Sequence, residues 1–255
     1  SGRDGVAGST TTQQVTVANG TTTTTTTPKP TTTTPKPPAP DAVMGGDPYT
    51  IAATGVCSFG FNGVDGSGNI VNITAGHCDE SDAPLTLGAG TSDPAIGTFD
   101  VLGPDGVDFS TIKIDDAAAE RFENNFVRGP GGKALAITGT ADPVVGAPVC
   151  KSGWRAGYSC GTILAVNQTM DGGNGRMMKG EFVANHICSL PGDSGGPVVT
   201  GTRALGITSI GNKGSQAECD ATSGPDINPW SQPYDSAVPI KTILEAVPGL
   251  KVRTN

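Results

Sequence analysis

The residues best suited to chemistry in this chain are a serine, a histidine and an aspartate. Ser194 lies between glycines in LPGDSGGP (190–197), where a substrate backbone can approach closely and amide N–H groups can point at a developing oxyanion. A serine hydroxyl is a weak nucleophile until a base takes its proton, and imidazole titrates near neutral pH. The chain has only two histidines, and one of them, His77, follows Thr-Ala-Gly in TAGHC (74–78). We therefore predict that His77 is the base for Ser194.

A carboxylate that could orient the imidazole is present in VDFSTI (107–112). Asp108 shares the face of its predicted strand with Ile112 and Ile114, because alternate residues of a strand point the same way. A carboxylate on an apolar face needs a hydrogen-bond donor, and an imidazole N–H can supply it. We predict that Asp108 fixes the tautomer of His77 and stabilises the imidazolium. The nearby aspartates are expected to be solvated surface groups: Asp100, Asp105, Asp115 and Asp116.

The chain order His, Asp, Ser resembles that of the trypsin/chymotrypsin-like serine proteases, whereas subtilisins and α/β-hydrolases use other orders. Within this family the chain is similar to the bacterial branch of streptogrisins and alpha-lytic protease. The similarity runs from Val43 to the C-terminus and includes VMGGD (43–47), CSFGFN (57–62), VCKSG (149–153) and GTRALGITS (201–209). It implies two antiparallel six-stranded β-barrels with a C-terminal helix, and a site in the cleft between the barrels.

The resemblance also implies a reaction, the hydrolysis of peptide bonds through an acyl-enzyme, with no cofactor and no metal. His77 would act as general base toward Ser194 and then as general acid toward the leaving amine. The amides of Gly192 and Ser194 would form the oxyanion hole. A protein or peptide substrate is expected.

The strand beside the specificity pocket would be the segment Thr208–Gly211. Ser209 would hydrogen-bond the buried Asp108. The backbone of Ile210 and Gly211 would pair with the substrate as an added strand. A core strand without any substrate role is compatible with the same residues.

Asp193 raises a question of charge balance. In chymotrypsin-like zymogens a freed N-terminal amine pairs with this carboxylate, and Val43 resembles that terminus. In the bacterial branch an internal arginine does this work, and Lys151 stands at that position here. We predict that Lys151 pairs with Asp193, so that no cut before Val43 is required. Lysine lacks the bidentate fork of arginine, so the match to the branch is incomplete.

The pocket that binds the side chain before the scissile bond (P1) is less well defined. Trypsin-like enzymes place an aspartate just before the cysteine that precedes the nucleophile, but this chain has Asn185-His186-Ile187-Cys188 there. A preference for Arg or Lys is therefore not expected, and a medium or large apolar P1 is the first hypothesis. A second is an acidic P1 bound by His186, and a third is that His186 is an ordinary, partly buried histidine.

The six cysteines indicate disulfides rather than a metal site. No Cys-x-x-Cys pair exists, and two histidines are too few for a typical zinc site. Disulfides indicate an oxidising compartment. Sequence alone allows fifteen pairings, of which the resemblance implies one: Cys57–Cys78, Cys150–Cys160 and Cys188–Cys219. We therefore expect a secreted or extracellular protein, with cell-wall or surface attachment as an open alternative.

Composition divides the chain in two. Thr makes up 15 of the first 40 residues, and residues 1–42 contain too little apolar surface to offset the entropy of ordering, which predicts a disordered Thr/Pro-rich linker or stalk. Residues 43–255 are long enough for one well-packed domain. Residues 1–42 hold 3 of the 16 basic and 2 of the 24 acidic residues, so the remainder carries a net charge of −9. Such a domain is not expected to bind nucleic acid or anionic membrane. No apolar stretch is long enough to form a membrane-spanning helix. A monomer is expected.

Frequent turn signals and short β-rich runs predict an all-β domain. Periodicity alone leaves a barrel and a sandwich as alternatives. The predicted strands are Ile70–Thr74, Ala95–Leu102, Phe109–Ile114, Leu135–Thr138, Thr162–Val166, Met177–Val183, Pro197–Val199 and Ala204–Ile210. Helical windows are Asp116–Asn124 and Val238–Val247.

Two other classes of function remain open. One is a binding or adhesion module that keeps the triad residues but has lost a competent cleft. The other is a structural, wall-spanning protein in which the Thr/Pro stalk is the functional part.

Overall fold

The computed structural model describes residues 37–52, 55–79, 82, 84–90, 93–221 and 228–255. The chain divides into two units, Ser1–Lys36 and Pro37–Asn255. Disorder is predicted for residues 1–42, of which residues 1–36 lie outside the described residues. Within the second unit, residues 37–42 are exposed or half-buried, and continuous burial begins at Val43, which is 3% exposed.

The first half of the second unit forms a sheet around an apolar core. Its strands are β1 Pro48–Ile51, β2 Gly55–Ser58, β3 Phe61–Val64, β4 Ile70–Thr74, β5 Leu85–Leu87, β6 Ala95–Leu102 and β7 Ser110–Ile114. They follow the antiparallel order β3-β4-β7-β6-β5-β1-β2. In β7 the side chains of Ile112 and Ile114 are buried and Lys113 between them is exposed, as strand alternation requires.

A short helix and a hairpin connect the two halves: α1 Ala119–Phe122, β8 Phe126–Arg128 and β9 Ala134–Ala136. Helix α1 is shorter than the predicted window 116–124. The side chain of Asn124 donates to the carbonyls of Arg121 and Val43, and it thereby caps the chain where the helix ends.

The second half forms another sheet. Its strands are β10 Gly139–Thr140, β11 Pro148–Lys151, β12 Ser159–Asp171, β13 Met177–Asn185, β14 Pro197–Thr200, β15 Arg203–Gly211 and β16 Tyr234–Pro239. The order is β10-β15-β14-β11-β12-β13-β16, and an additional β15–β16 pairing closes six of these strands into a ring. Only the two-residue β10 pairs in parallel among them. The remaining elements are α2 Gln216–Ala221, α3 Ile240–Ala246, β17 Lys251–Val252 and the 3-10 turns Gly76–Cys78, Pro130–Gly132 and Pro229–Ser231.

The predicted all-β fold with two barrel-like sheets and a short C-terminal helix is confirmed, with different strand counts. The second sheet has six strands in its ring plus β10. The first sheet has eight, because β17 pairs with β3 and adds an outer strand. Helix α3 begins later than predicted, because Val238 belongs to β16, where it pairs with Ile207 of β15. The helix starts only after Pro239.

Aromatic side chains fill the larger core. Tyr49, Phe59 and Phe122 are fully buried. The Tyr49 and Phe59 rings are tilted with centroids 4.8 Å apart, and the Phe59 and Phe122 rings meet edge to face at 5.3 Å. A second apolar cluster, which includes Phe182 and Leu205, lies inside the second sheet. No helix in the described part of the chain combines the length and the apolar character needed to cross a membrane.

Candidate active site

His77 and Asp108 meet where β4 ends and β7 begins, at one end of two neighbouring interior strands of the first sheet. His77 lies in the 3-10 turn after β4, and Asp108 lies two residues before β7 rather than within the predicted strand face. Asp108 Oδ2 is 2.8 Å from His77 Nδ1, and Asp108 Oδ1 accepts the backbone N–H of His77 at 2.7 Å. Because an ionised carboxylate can only accept a hydrogen bond, Nδ1 of His77 carries the proton and donates it to Asp108. The lone pair of the neutral imidazole is then on Nε2.

Ser209 connects this pair to the second sheet. Ser209 lies near the end of β15, and its hydroxyl donates to Asp108 Oδ2 at 2.5 Å. Burial would raise the pKa of Asp108, but the hydrogen bonds from His77 and Ser209 outweigh it and lower that pKa below its ordinary value. The Asp108 carboxyl, with its side chain only 2% exposed, is therefore an anion at neutral pH.

The segment Leu190–Gly196, which we call the nucleophile loop, is shaped by glycines. Gly192 has φ +104°, and a Cβ there would lie 2.6 Å from Trp154 Nε1. Gly195 has φ +84°, and a Cβ there would lie 2.0 Å from Thr74 Oγ1. Side-chain-bearing residues are strained in this region of backbone space. The loop therefore passes against its neighbours only because these positions are glycine.

His77 and Ser194 line the same cavity, although one comes from the first sheet and the other from the nucleophile loop before β14. The cavity also includes Ser209, Ile210 and Gly211 at the end of β15. The structure thus brings these five sequence-predicted residues to one place. A hydroxyl, an imidazole and an exposed strand end around one opening are what acyl transfer on an extended peptide requires.

Asp193, which belongs to the nucleophile loop, and Lys151, at the end of β11, are both fully buried. Lys151 Nζ donates to Asp193 Oδ2 at 2.5 Å, and the same oxygen accepts the Leu190 amide at 3.0 Å. Asp193 Oδ1 accepts the amides of Arg155 and Ala156 at 2.8 Å and 3.1 Å. The carboxylate is thus saturated by donors from three segments.

The backbone amide of Val43 makes its hydrogen bond elsewhere. It donates to the carbonyl of Arg121 at 2.8 Å. The side chain that pairs with Asp193 in this structure is that of Lys151.

The six cysteines form three disulfides, in the pairing that the resemblance implied: Cys57–Cys78, Cys150–Cys160 and Cys188–Cys219. The first joins the end of β2 to the turn that carries His77. The second joins the paired strands β11 and β12, next to Lys151. The third joins the residue before Ser189 to helix α2. The first and third therefore fix segments next to cavity-lining residues, and the second fixes the strand that carries Lys151, the partner of Asp193.

Ser58 is a residue that the sequence reasoning missed. Its hydroxyl donates to the Gly192 carbonyl at 2.8 Å and accepts the Trp154 amide at 3.1 Å. Its backbone N–H donates to the Ser194 carbonyl at 2.8 Å. The only signal in the sequence was its position directly after Cys57.

A contact between the two sheets borders a larger neighbouring cavity. The Lys179 amide donates to the Gly106 carbonyl at 2.6 Å, and Lys179 Nζ lies 3.1 Å from Asp105 Oδ2. We call this contact, between the β12–β13 hairpin and the loop before Asp108, the hairpin clasp. His77 and Asp108 line the cavity beside it.

Two buried carboxyls were also missed, Glu181 on β13 and Asp235 on β16. Both residues are 0% exposed, and burial raises the pKa of each to about 7. Glu181 Oε2 accepts the Ser236 hydroxyl, and Asp235 Oδ2 accepts that of Thr208. Their other oxygens, Glu181 Oε1 and Asp235 Oδ1, have no hydrogen-bond partner among the described residues. Nothing in strand periodicity distinguishes such residues from solvated ones.

One expectation for His186, that it is partly buried, is wrong. It is exposed rather than partly buried, it has φ 61°, and it is not among the residues that line the cavity containing Ser194. The cations at that cavity are Arg176 and Lys213 instead.

Comparisons with known proteins agree with this geometry. Residues 50–230 match the family model described as Trypsin. The chain is 33% identical over 170 residues to serine protease 2 of Streptomyces fradiae, which covers 67% of this chain and 95% of that protein. It is 33% identical over 192 residues to streptogrisin-C of Streptomyces griseus, covering 75% of this chain but 40% of that relative's length.

Among solved structures, Thermobifida fusca protease A superposes with a TM-score of 0.67 at 29% identity. The match covers 84% of this chain and 100% of that one. The family model spans well over half of the chain, and the Streptomyces fradiae relative is 33% identical and covered over 95% of its own length. The chain therefore belongs to the trypsin family of serine endopeptidases, within its streptogrisin-like bacterial branch.

Proposed function

We propose that this chain hydrolyses peptide bonds through an acyl-enzyme with Ser194 as nucleophile, His77 as general base and Asp108 as the carboxylate that orients the base. The observation that carries the proposal is the hydrogen-bonded His77–Asp108 pair, at 2.8 Å, opening on the cavity that Ser194 also lines. A competent binding module without catalysis would not need a saturated, anionic Asp108 behind the imidazole.

The proposed steps use these atoms in order. The Ser194 hydroxyl proton passes to His77 Nε2 as Oγ bonds to the scissile carbonyl carbon. The amides of Gly192 and Ser194 stabilise the resulting oxyanion. The C–N bond then breaks as His77 returns its proton to the leaving amine. Water, activated by the same imidazole, releases the acyl group and restores the Ser194 hydroxyl.

A fluorophosphonate probe tests this proposal directly. The wild-type protein should be labelled at one serine, with parallel loss of peptide hydrolysis. Ser194→Ala should abolish both labelling and hydrolysis, whereas Ser215→Ala, at a solvent-exposed serine outside the cavity, should abolish neither. Hydrolysis that persists in folded Ser194→Ala would reject Ser194 as the nucleophile.

We further propose that the P1 side chain is apolar and medium or large. The support is the apolar character of Met178, Leu190 and Ile210 in the cavity wall. Arg176 and Lys213 line the same cavity and favour an acidic P1 as the second candidate. A P1-randomised peptide library separates the two: cleavage after Leu, Met or Phe supports the first, and cleavage after Glu or Asp supports the second. Since His186 is outside the wall, His186→Ala should leave the preference unchanged.

The domain organisation is part of the proposal. Residues 43–255 would be the protease domain and residues 1–42 a linker or stalk, because among the described residues continuous burial begins at Val43. Deleting residues 1–42 should leave kcat and KM for a short peptide unchanged, and the product should run as a monomer in gel filtration. Loss of peptide hydrolysis in the deleted, folded protein would contradict this division.

Export to an oxidising compartment is proposed from the three disulfides. Protein produced in a reducing cytoplasm should recover activity only after oxidative refolding.

A further inference from the structure

We propose that Ser58 is a positioning residue for the oxyanion hole, and that its hydroxyl sets the conformation of the Gly192–Asp193 peptide. This inference rests on the proposed function, since it assigns Ser58 a role in the reaction at Ser194. It concerns a residue of the first sheet that acts on a loop of the second.

The contacts of Ser58 carry the inference. The residue is 0% exposed and its hydroxyl is used twice, as donor to the Gly192 carbonyl at 2.8 Å and as acceptor of the Trp154 amide at 3.1 Å. Since the hydroxyl has one proton, the Trp154 contact leaves that proton available for Gly192. The two bonds therefore define one orientation of the hydroxyl.

The Gly192–Asp193 peptide is fixed at both of its polar atoms. Ser58 binds the Gly192 carbonyl, and the Asp193 amide donates to the Leu190 carbonyl at 2.8 Å. Gly192 has φ +104°, a backbone angle that glycine adopts without the steric strain other residues would suffer. Without the Ser58 hydroxyl, the Gly192 carbonyl would lose its partner in a buried setting, and rotation of this peptide would relieve the loss. The Gly192 N–H, one of the two proposed oxyanion donors, belongs to the preceding Pro191–Gly192 peptide and is joined to this carbonyl through the φ and ψ angles of Gly192. A hydroxyl that holds the carbonyl therefore also restricts the orientation of that N–H.

The backbone of Ser58 aligns the nucleophile at the same time. Its N–H donates to the Ser194 carbonyl at 2.8 Å, and the preceding residue, Cys57, is bonded to Cys78 beside His77. Two consecutive residues of β2 thus connect the segment of the proposed base with the segment of the proposed nucleophile. Only the side-chain part of this connection is removed by a substitution at Ser58.

Thr50 provides a matched control, because its hydroxyl makes the same two kinds of bond away from the cavity. Thr50 Oγ1 donates to the Gly88 carbonyl at 2.7 Å and accepts the Gly90 amide at 2.7 Å, and the residue is 1% exposed. Loss of either hydroxyl removes a buried pair of hydrogen bonds. Only the loss at Ser58 should affect catalysis.

The experiment compares Ser58→Ala and Thr50→Val with the wild type on one chromogenic peptide. For Ser58→Ala we expect kcat to fall about tenfold with KM within about twofold, because an interaction made in the transition state is weakened indirectly. A peptide boronate, whose tetrahedral adduct places an oxygen in the oxyanion hole, should bind more weakly by the same factor. A product-like peptide carboxylate should bind unchanged. Thr50→Val should lose a similar amount of thermal stability and keep kcat.

Unchanged kcat and boronate affinity in folded Ser58→Ala would overturn the inference. If that variant does not fold, Ser58→Gly tests the same point, because it also lacks the hydroxyl, and Ser58→Thr, which keeps it, should retain kcat. A failure of the proposed function is recognised separately: it would appear as full hydrolysis by Ser194→Ala, whatever the result at Ser58.

Discussion

Lys151 and Asp193 form an ion pair with both side chains fully buried, the ammonium nitrogen 2.5 Å from the carboxylate oxygen. Removing one partner of such a pair leaves an uncompensated charge in the interior, which typically costs about 3–5 kcal/mol. The pair joins the nucleophile loop to β11, because Asp193 is a residue of that loop. Its loss should therefore disturb the loop as well as the stability of the fold.

For Lys151→Ala we expect a lower free energy of unfolding and a reduced fraction of protein with a competent site. The measurement is active-site titration with a fluorophosphonate against total protein, together with urea unfolding. Lys241→Ala is the control, since the Lys241–Asp142 pair is solvent-exposed and its loss should cost no more than about 1 kcal/mol. Full active-site occupancy in Lys151→Ala would show that the pair does not hold the loop.

Ser209→Ala should change the acid side of the pH profile. The pKa of Asp108 is lowered, so its carboxylate stabilises the folded state above the unfolded pKa, and this contribution is lost as pH falls through the folded pKa. Without the Ser209 hydroxyl the folded pKa rises, and both stability and hydrolysis should decline at a higher pH than in the wild type. Ser209→Thr, which keeps the hydroxyl, should behave like the wild type. Coincident acid limbs for Ser209→Ala and the wild type would contradict the prediction.

Glu181→Gln should flatten the pH dependence of stability. Burial raises the pKa of Glu181 from 4.5 to about 7, so between these values the folded state holds a proton that the unfolded state releases. Stability from this residue is therefore lost as pH rises from about 4.5 to about 7, by about 3 kcal/mol. The amide variant does not titrate and should not show that loss. Urea unfolding at pH 5 and pH 8 measures the difference, with Glu245→Gln on the exposed side of α3 as control.

Much of the framework was predictable because short motifs carry it. The glycines around Ser194, the TAGHC segment and the Asp108 segment pointed to one cavity, and strands β4 and β6 were predicted at their observed bounds. Periodicity failed where side chains or pairing override it. It did not predict the full length of β12, whose thirteen residues include register irregularities, or the short extent of α1, which covers only Ala119–Phe122.

The polar residues inside the fold could not be predicted in the same way. Ser58, Glu181 and Asp235 are ordinary polar residues in β-rich segments, and only the three-dimensional pairing shows that they are fully buried. Their importance comes from contacts with residues more than fifty positions away for Ser58 and Glu181. No local pattern reports such distances.

The hairpin clasp has a consequence for altering what the cavity accepts. The Lys179 amide donates to the Gly106 carbonyl at 2.6 Å, and Lys179 is the third residue of β13 after the turn. Residues 172–176 at the tip of the hairpin lie between β12 and this anchor, so Gly172 and Arg176, which line the cavity that contains Ser194, can be exchanged without removing the Lys179–Gly106 hydrogen bond. Loop grafting for new selectivity would do best to exchange the tip alone and leave the anchoring positions intact.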